Sequence, residues 1–258
     1  MNLGAARVAL RDRGLADVLD LAVRFLSFHR GVVVRVSALT LLPFALVSLL
    51  AGRLLGWQLA WAIALPLVVL VDAPFTILAS RLVFEDGVRA RDVLVASLRA
   101  APRVAAARVA ALVLVAIGAG FLLVPGIAAA AVTLFVGEAM LLERAPILRA
   151  FSRAQSVASN AIGDVVFGIL VFALVPTGAV LLADIGGRTL IGEVFQFRPP
   201  QPVWATGGSA LGVIGLFLQV PFLATARFFL YLNVRTRTEG WDIQARFAGI
   251  AARPDEGT

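Results

Sequence analysis

The chain has 258 residues, of which 60% are hydrophobic and 15% charged, whereas an ordinary water-soluble domain is about 45–50% apolar and about 25% charged. That balance excludes a water-soluble globular domain, and the formal charge of +7 does not indicate a nucleic-acid binder, because the arginines are scattered between apolar segments and form no single basic face. With no cysteine and a single histidine, His29, neither a disulfide framework nor a thiolate or histidine-rich metal site can be built.

In chain order, the first predicted element lies in LADVLDLAVRFLSFHR. Leu15, Val18, Leu19, Ala22, Phe25 and Leu26 recur there at helical spacing, while Asp17, Asp20 and Arg24 take the other face. The pattern predicts an amphipathic elbow helix along the inner leaflet, within a cytoplasmic N-terminal stretch 1–31 that has no cleavage site and is expected to be retained. A membrane-spanning helix needs about 20 mostly apolar residues. Spans are predicted at 32–50, 57–80, 104–124, 127–142, 165–183 and 205–234, followed by a cytoplasmic tail 235–258. The third and fourth come from one uncharged run, Val109 to Gly137, which is too long for one untilted crossing. Pro125 and Gly126, in FLLVPGI, predict a hairpin bend within it.

Between the fourth and fifth spans, APILRAFSRAQSVASN predicts a second interfacial helix. Pro146 suits its first turn, Ile147 and Phe151 take one side, and Arg149 and Arg153 another. The external segment 184–204, with GGR and RPPQP, reads as a loop, and a re-entrant fold is left open. Gly208 and Gly212, extended by Gly215, form a G-x-x-x-G that suits close helix packing within the bundle and leaves a homo-oligomer open.

Positive charge concentrates in cytoplasmic loops. With six spans and both termini on one side, that side holds nineteen arginines, and only Arg53, Arg188 and Arg198 face the other. Trp57, Trp61 and Trp204 fall at the predicted outer boundary, with Tyr231 and Trp241 near the inner one. The expected fold is therefore an all-α integral membrane protein, a six-transmembrane-helix bundle in a bacterial inner membrane.

The LADVLDLAVRFLSFHRG elbow, a proline-containing first span, the LVPGI bend, LLERAPILRAFSRAQSV and the closing YLNVRTRTEGWDIQARF together resemble the bacterial membrane-domain family named after glycerophosphoryl diester phosphodiesterases. The resemblance covers nearly the whole chain. It places Glu143, Arg149 and Arg153 in the positions after the fourth span, and Arg235, Arg237, Glu239, Gly240 and Asp242 in the closing motif, as cytoplasmic surface, partner or headgroup contacts. The separate phosphodiesterase barrel that gives the family its name has no counterpart here, so the resemblance implies a membrane fold and not diesterase activity.

Three charges lie within the spans. Asp72 precedes Arg81 by nine residues, Glu138 precedes Arg144 by six, and Arg227 precedes Arg235 by eight. At about 1.5 Å per residue all three sit roughly 9–14 Å inside the cytoplasmic boundary if their helices are continuous. An isolated charge there costs about 2.5–3.5 kcal/mol, so Arg227 is expected to pair with Glu138, Asp72 or both, as a structural staple or as part of a permeation path. No phosphate-cradling or nucleophile-elbow motif is present, and no metal or cofactor is expected. The expected function is a non-catalytic scaffold or accessory subunit of a membrane complex, with membrane lipids and a protein at the cytoplasmic face as partners. The alternatives are the permease half of an ABC-type exporter needing a separate ATPase, suggested by the elbow and a cytosolic helix around Arg89 to Arg99, and a small-molecule or lipid carrier.

Overall fold

The computed structural model describes residues 13–85 and 87–238, and within them every regular element is helical. Six helical spans are long and apolar enough to cross a membrane: Arg30–Leu54, Trp57–Phe84, Ala90–Phe121, Leu123–Leu142, Ile162–Val194 and Ala210–Thr238. The protein is a polytopic all-α membrane bundle.

The odd- and even-numbered spans differ in a way that organises the molecule. The first, third and fifth are unbroken helices α2 (Arg30–Leu54), α5 (Ala90–Phe121) and α9 (Ile162–Thr189), the last continued by a π-helical turn over Leu190–Val194. Each even span is two helices in tandem. The second is α3 (Trp57–Leu70) and α4 (Ala73–Phe84), and the fourth is α6 (Leu123–Thr133) and α7 (Val136–Leu142). The sixth follows a short α10 (Val203–Thr206) and consists of α11 (Ala210–Leu218) and α12 (Val220–Thr238). Burial follows the same division: 28%, 17% and 11% of the most apolar stretch is buried in the odd spans, against 56%, 39% and 67% in the even ones. Three broken helices therefore form the interior and three continuous ones the apolar perimeter, where Leu42, Leu46, Val113, Ile117, Phe167 and Leu174 are exposed. Helix breaks free backbone hydrogen-bonding groups, which lipid cannot satisfy, so they belong inside the protein.

Several expected boundaries move. The turn between the third and fourth spans is made by Leu122, in extended conformation at φ −166° and ψ 161°, and not by Pro125 and Gly126. Pro125 instead enters the first turn of α6, where its missing N–H costs nothing. Gly126 faces Ala119 so closely that a Cβ would lie 2.9 Å from that residue's Cα. The third span begins at Ala90, so the separate cytosolic helix expected around Arg89 to Arg99 is the first part of α5, with Pro102 tolerated inside it. The fifth span runs past Asp184 to Val194, which shortens the segment expected at 184–204 to an irregular stretch 195–202 and α10. The sixth span starts at Ala210 and not at 205.

The elbow helix, α1 (Leu15–Phe28), turns into α2 at His29. Its apolar face, expected to lie on the leaflet, covers α12: Leu15, Val18, Ala22 and Phe25 are buried, and the Phe25 and Phe229 rings meet edge-on at 5.1 Å. Asn233 fastens the same contact by accepting from the Arg13 backbone N–H at 3.0 Å and donating to its carbonyl at 2.9 Å. The two ends of the described chain therefore lie together, as an even number of crossings requires. The other connecting helix, α8 (Ile147–Ser159), buries Ala150, Ala154, Val157 and Ala158, so its contact face is a small-residue stripe beside the expected Ile147 and Phe151.

Candidate functional site

The helix breaks position the interior charges. Asp72 stands at the break between α3 and α4 as the residue preceding α4, with Pro74 in the first turn. Glu138 lies in the first turn of α7, just after the break at Leu134 and Phe135. Both carboxylates are thus at the amino ends of half-helices, where the unpaired N–H groups and the helix dipole favour negative charge. Arg227 reaches them from α12, two turns beyond Pro221.

Arg227 bonds both acids. Its Nε donates to Glu138 Oε1 at 2.6 Å, and its Nη2 donates to Asp72 Oδ2. A fourth member was not anticipated: Arg108, from the middle of α5, donates through Nη1 to Asp72 Oδ1 and to the carbonyl of Val69 beside the helix break. Its guanidinium fits because residue 137 is glycine, where a Cβ would lie 2.6 Å from Arg108 Nη2. Glu138 is fully buried, Asp72 and Arg108 nearly so, and Arg227 is 19% exposed.

The result is a quartet of two acids and two arginines drawn from four spans. Electroneutrality accounts for the composition. Two buried carboxylates against Arg227 alone would leave a net negative charge in a low-dielectric interior, and Arg108 removes it. Expected on the side of the loop arginines, Arg108 is buried in the interior instead, which leaves eighteen arginines to that expected side against three. Among the described residues, Thr76 Oγ1, Arg108 Nη2 and Glu138 Oε2 are buried with no hydrogen-bond partner, so the quartet retains unspent donor and acceptor capacity.

A second polar cluster lies at the end of the bundle that carries Arg13 and Thr238. Glu143, the residue that ends α7, receives Arg153 Nε from α8 at 3.0 and 3.1 Å, Arg235 Nη1 from α12 at 3.2 Å, and the hydroxyl of Tyr231. Arg235 also stacks over the Tyr231 ring at 5.7 Å. Arg237 reaches across to Asp164 at the start of α9, 2.7 Å away. Of the residues expected at this surface, Glu143, Arg153 and Arg235 are thus brought together, and Arg237 joins a different acid. Arg149 lines, together with Glu143 and Arg153, a cavity of about 530 Å³, while Glu239, Gly240 and Asp242 lie outside the described residues.

At the opposite end the structure adds Asp184, which no spacing in the sequence singled out. Fully buried in α9, it accepts from Val203 N–H at 3.2 Å and from the Ser209 hydroxyl, and Ser209 in turn caps α11 by accepting from Gly212 N–H at 3.0 Å. The glycines pack within the bundle: Gly208 against Trp57 and Trp61, Gly212 against Val180, and Gly215 directly on the backbone of Ala179. Trp204 is exposed at this end with Arg188 5.7 Å over its ring. Comparison with protein-family models, curated proteins and solved structures finds nothing that matches the chain, so its function is argued from this geometry alone.

Proposed function

We propose that the chain is a non-catalytic membrane component, a scaffold or accessory subunit of a membrane complex, whose bundle is closed by the Asp72–Arg108–Arg227–Glu138 quartet. The observation that carries the proposal is the neutrality and mutual bonding of the quartet across four spans, the arrangement of a staple. The arginine asymmetry of eighteen to three supports a bacterial inner-membrane location with both termini in the cytoplasm, because positive loops stay on that side. On that reading the cluster of Glu143, Arg153 and Arg235 faces the cytoplasm, and it supports a protein partner there. It also joins the two segments that carry the resemblance to the phosphodiesterase-named membrane family, whose membership we propose on those motifs.

A carrier is the second reading, favoured by one observation: the second and fourth spans break beside the charged centre, at Asp72 and just before Glu138, as helices do where carriers hold ions and substrates. Purification from native membranes with identification of what co-elutes separates these readings. A stoichiometric partner protein without nucleotide-hydrolysing motifs is the expected result. A co-purifying ATPase would transfer the proposal to an exporter permease, and a partner-free chain that moves solute in vesicles would establish the carrier.

A further inference from the structure

A cleft of about 790 Å³ opens between α4, α5, the end of α7 and the chain just after it. Four arginines from three separate elements line it: Arg81 from α4, Arg99 and Arg103 from α5, and Arg144 from the turn after α7. Among the described residues none of the four has a carboxylate within 4.0 Å, and Glu85 is the one acid on the wall. Arg144 adopts φ 53°, a left-handed conformation uncommon for a residue with a Cβ. The lining of the cleft also includes the buried apolar side chains of Ile77, Val104 and Met140.

Arginines at the level of lipid headgroups ordinarily spread outward into them. Here they line one concavity instead, where among the described residues four guanidiniums face the single carboxylate of Glu85, an excess of three positive charges. Arg81 lies nine residues beyond Asp72, about 13 Å along the helix at about 1.5 Å per residue, where the apolar interior gives way to headgroups. Planar guanidiniums match phosphoryl oxygens in bidentate geometry. The apolar residues of the same cleft match hydrocarbon.

We propose that this cleft binds a phosphoryl group, the headgroup phosphate of an anionic amphiphile, with Arg81, Arg99, Arg103 and Arg144 around the phosphate and Ile77, Val104 and Met140 against its hydrocarbon. The same chemistry is offered by free inorganic phosphate, and the test separates the two sources. Fluorescently labelled phosphatidate is titrated into the full chain in neutral detergent, with phosphatidylcholine as the zwitterionic comparison and inorganic phosphate as competitor. The expected result is saturable one-site binding of phosphatidate. Arg99→Ala/Arg103→Ala, both exposed and so without consequence for folding, weakens it about a hundredfold, at about tenfold per charge-assisted contact. Arg24→Ala/Arg30→Ala, at the same end but outside the cleft, changes it less than about threefold. Retention of phosphatidate against millimolar phosphate identifies the lipid headgroup. Its displacement, with phosphate binding comparably alone, identifies the free anion. Non-saturable binding, or equal losses in the two double variants, reduces the effect to general surface charge and overturns the proposal.

Discussion

Asp72→Leu is the perturbation whose consequence the quartet defines most sharply. Asp72 is the one residue bonded to both arginines, so its loss leaves Arg108 and Arg227 facing each other with Glu138 as the only acid, an excess positive charge in the interior. Removing one partner of a buried ion pair costs about 3–5 kcal/mol. At 1.4 kcal/mol per decade, that raises the unfolded fraction by a factor of roughly a hundred to several thousand. Arg108→Met alone should cost a similar amount, including about 1 kcal/mol for the donor lost by the Val69 carbonyl. The double variant Asp72→Leu/Arg108→Met leaves the neutral Glu138–Arg227 pair and replaces two charges by apolar groups of similar bulk. It should fall within about 1–2 kcal/mol of the parent, or exceed it. Reversible denaturant titration in mixed micelles, followed by the fluorescence of Trp57, Trp61 and Trp204, gives the four corners of the cycle. Additive losses in the double variant, or single variants as stable as the parent, would refute the electroneutral staple.

Arg227→Glu puts three carboxylates around Arg108 and should abolish monodisperse recovery on size exclusion. Adding Glu138→Arg, which restores two charges of each sign, should recover part of the yield. Gly215→Ala drives a Cβ into Ala179 and to 2.6 Å from the Ala183 Cβ, and should lower the unfolding free energy by about 1–3 kcal/mol. Gly178→Ala, with nothing within 4 Å, should be neutral or slightly stabilising in the same titration. Asp184→Ala releases Val203 N–H and Ser209 together, and hydrogen exchange over 195–209 should accelerate while the other spans stay protected. Asn233→Leu unties Arg13 and should raise exchange in α1 ahead of every other helix.

The spans and their number were legible because twenty-residue apolar runs have no other soluble solution, and the positions of Asp72, Glu138 and Arg227 followed from counting back to the nearest loop arginine. Arg108 was not legible by that count. It follows Arg99 and Arg103 at loop-like spacing, and only the continuity of α5 from Ala90 carries it into the interior. The available signal was charge balance, since two intramembrane acids demand two bases. The breaks in the even spans were hidden for a different reason. Pro74 and Pro221 mark two of them, but Leu134 and Phe135 carry no composition that distinguishes a break from a helix, and tertiary contacts with α5 and α8 decide it. Pro125 and Gly126 misled because the same dipeptide suits a turn and a close helix start equally well, and Leu122 supplied the turn with no sequence mark.

An even number of crossings puts Arg13 and Asn233 at one face, with the quartet buried between the spans. The absence of cysteine permits single cysteines at Gly14, Leu55, Gln201 and Thr238, probed in intact cells with a membrane-impermeant maleimide. Labelling of Leu55→Cys and Gln201→Cys from outside, with Gly14→Cys and Thr238→Cys modified only after the membrane is opened, is the predicted pattern. Labelling of Gly14→Cys and Thr238→Cys from opposite faces would contradict it.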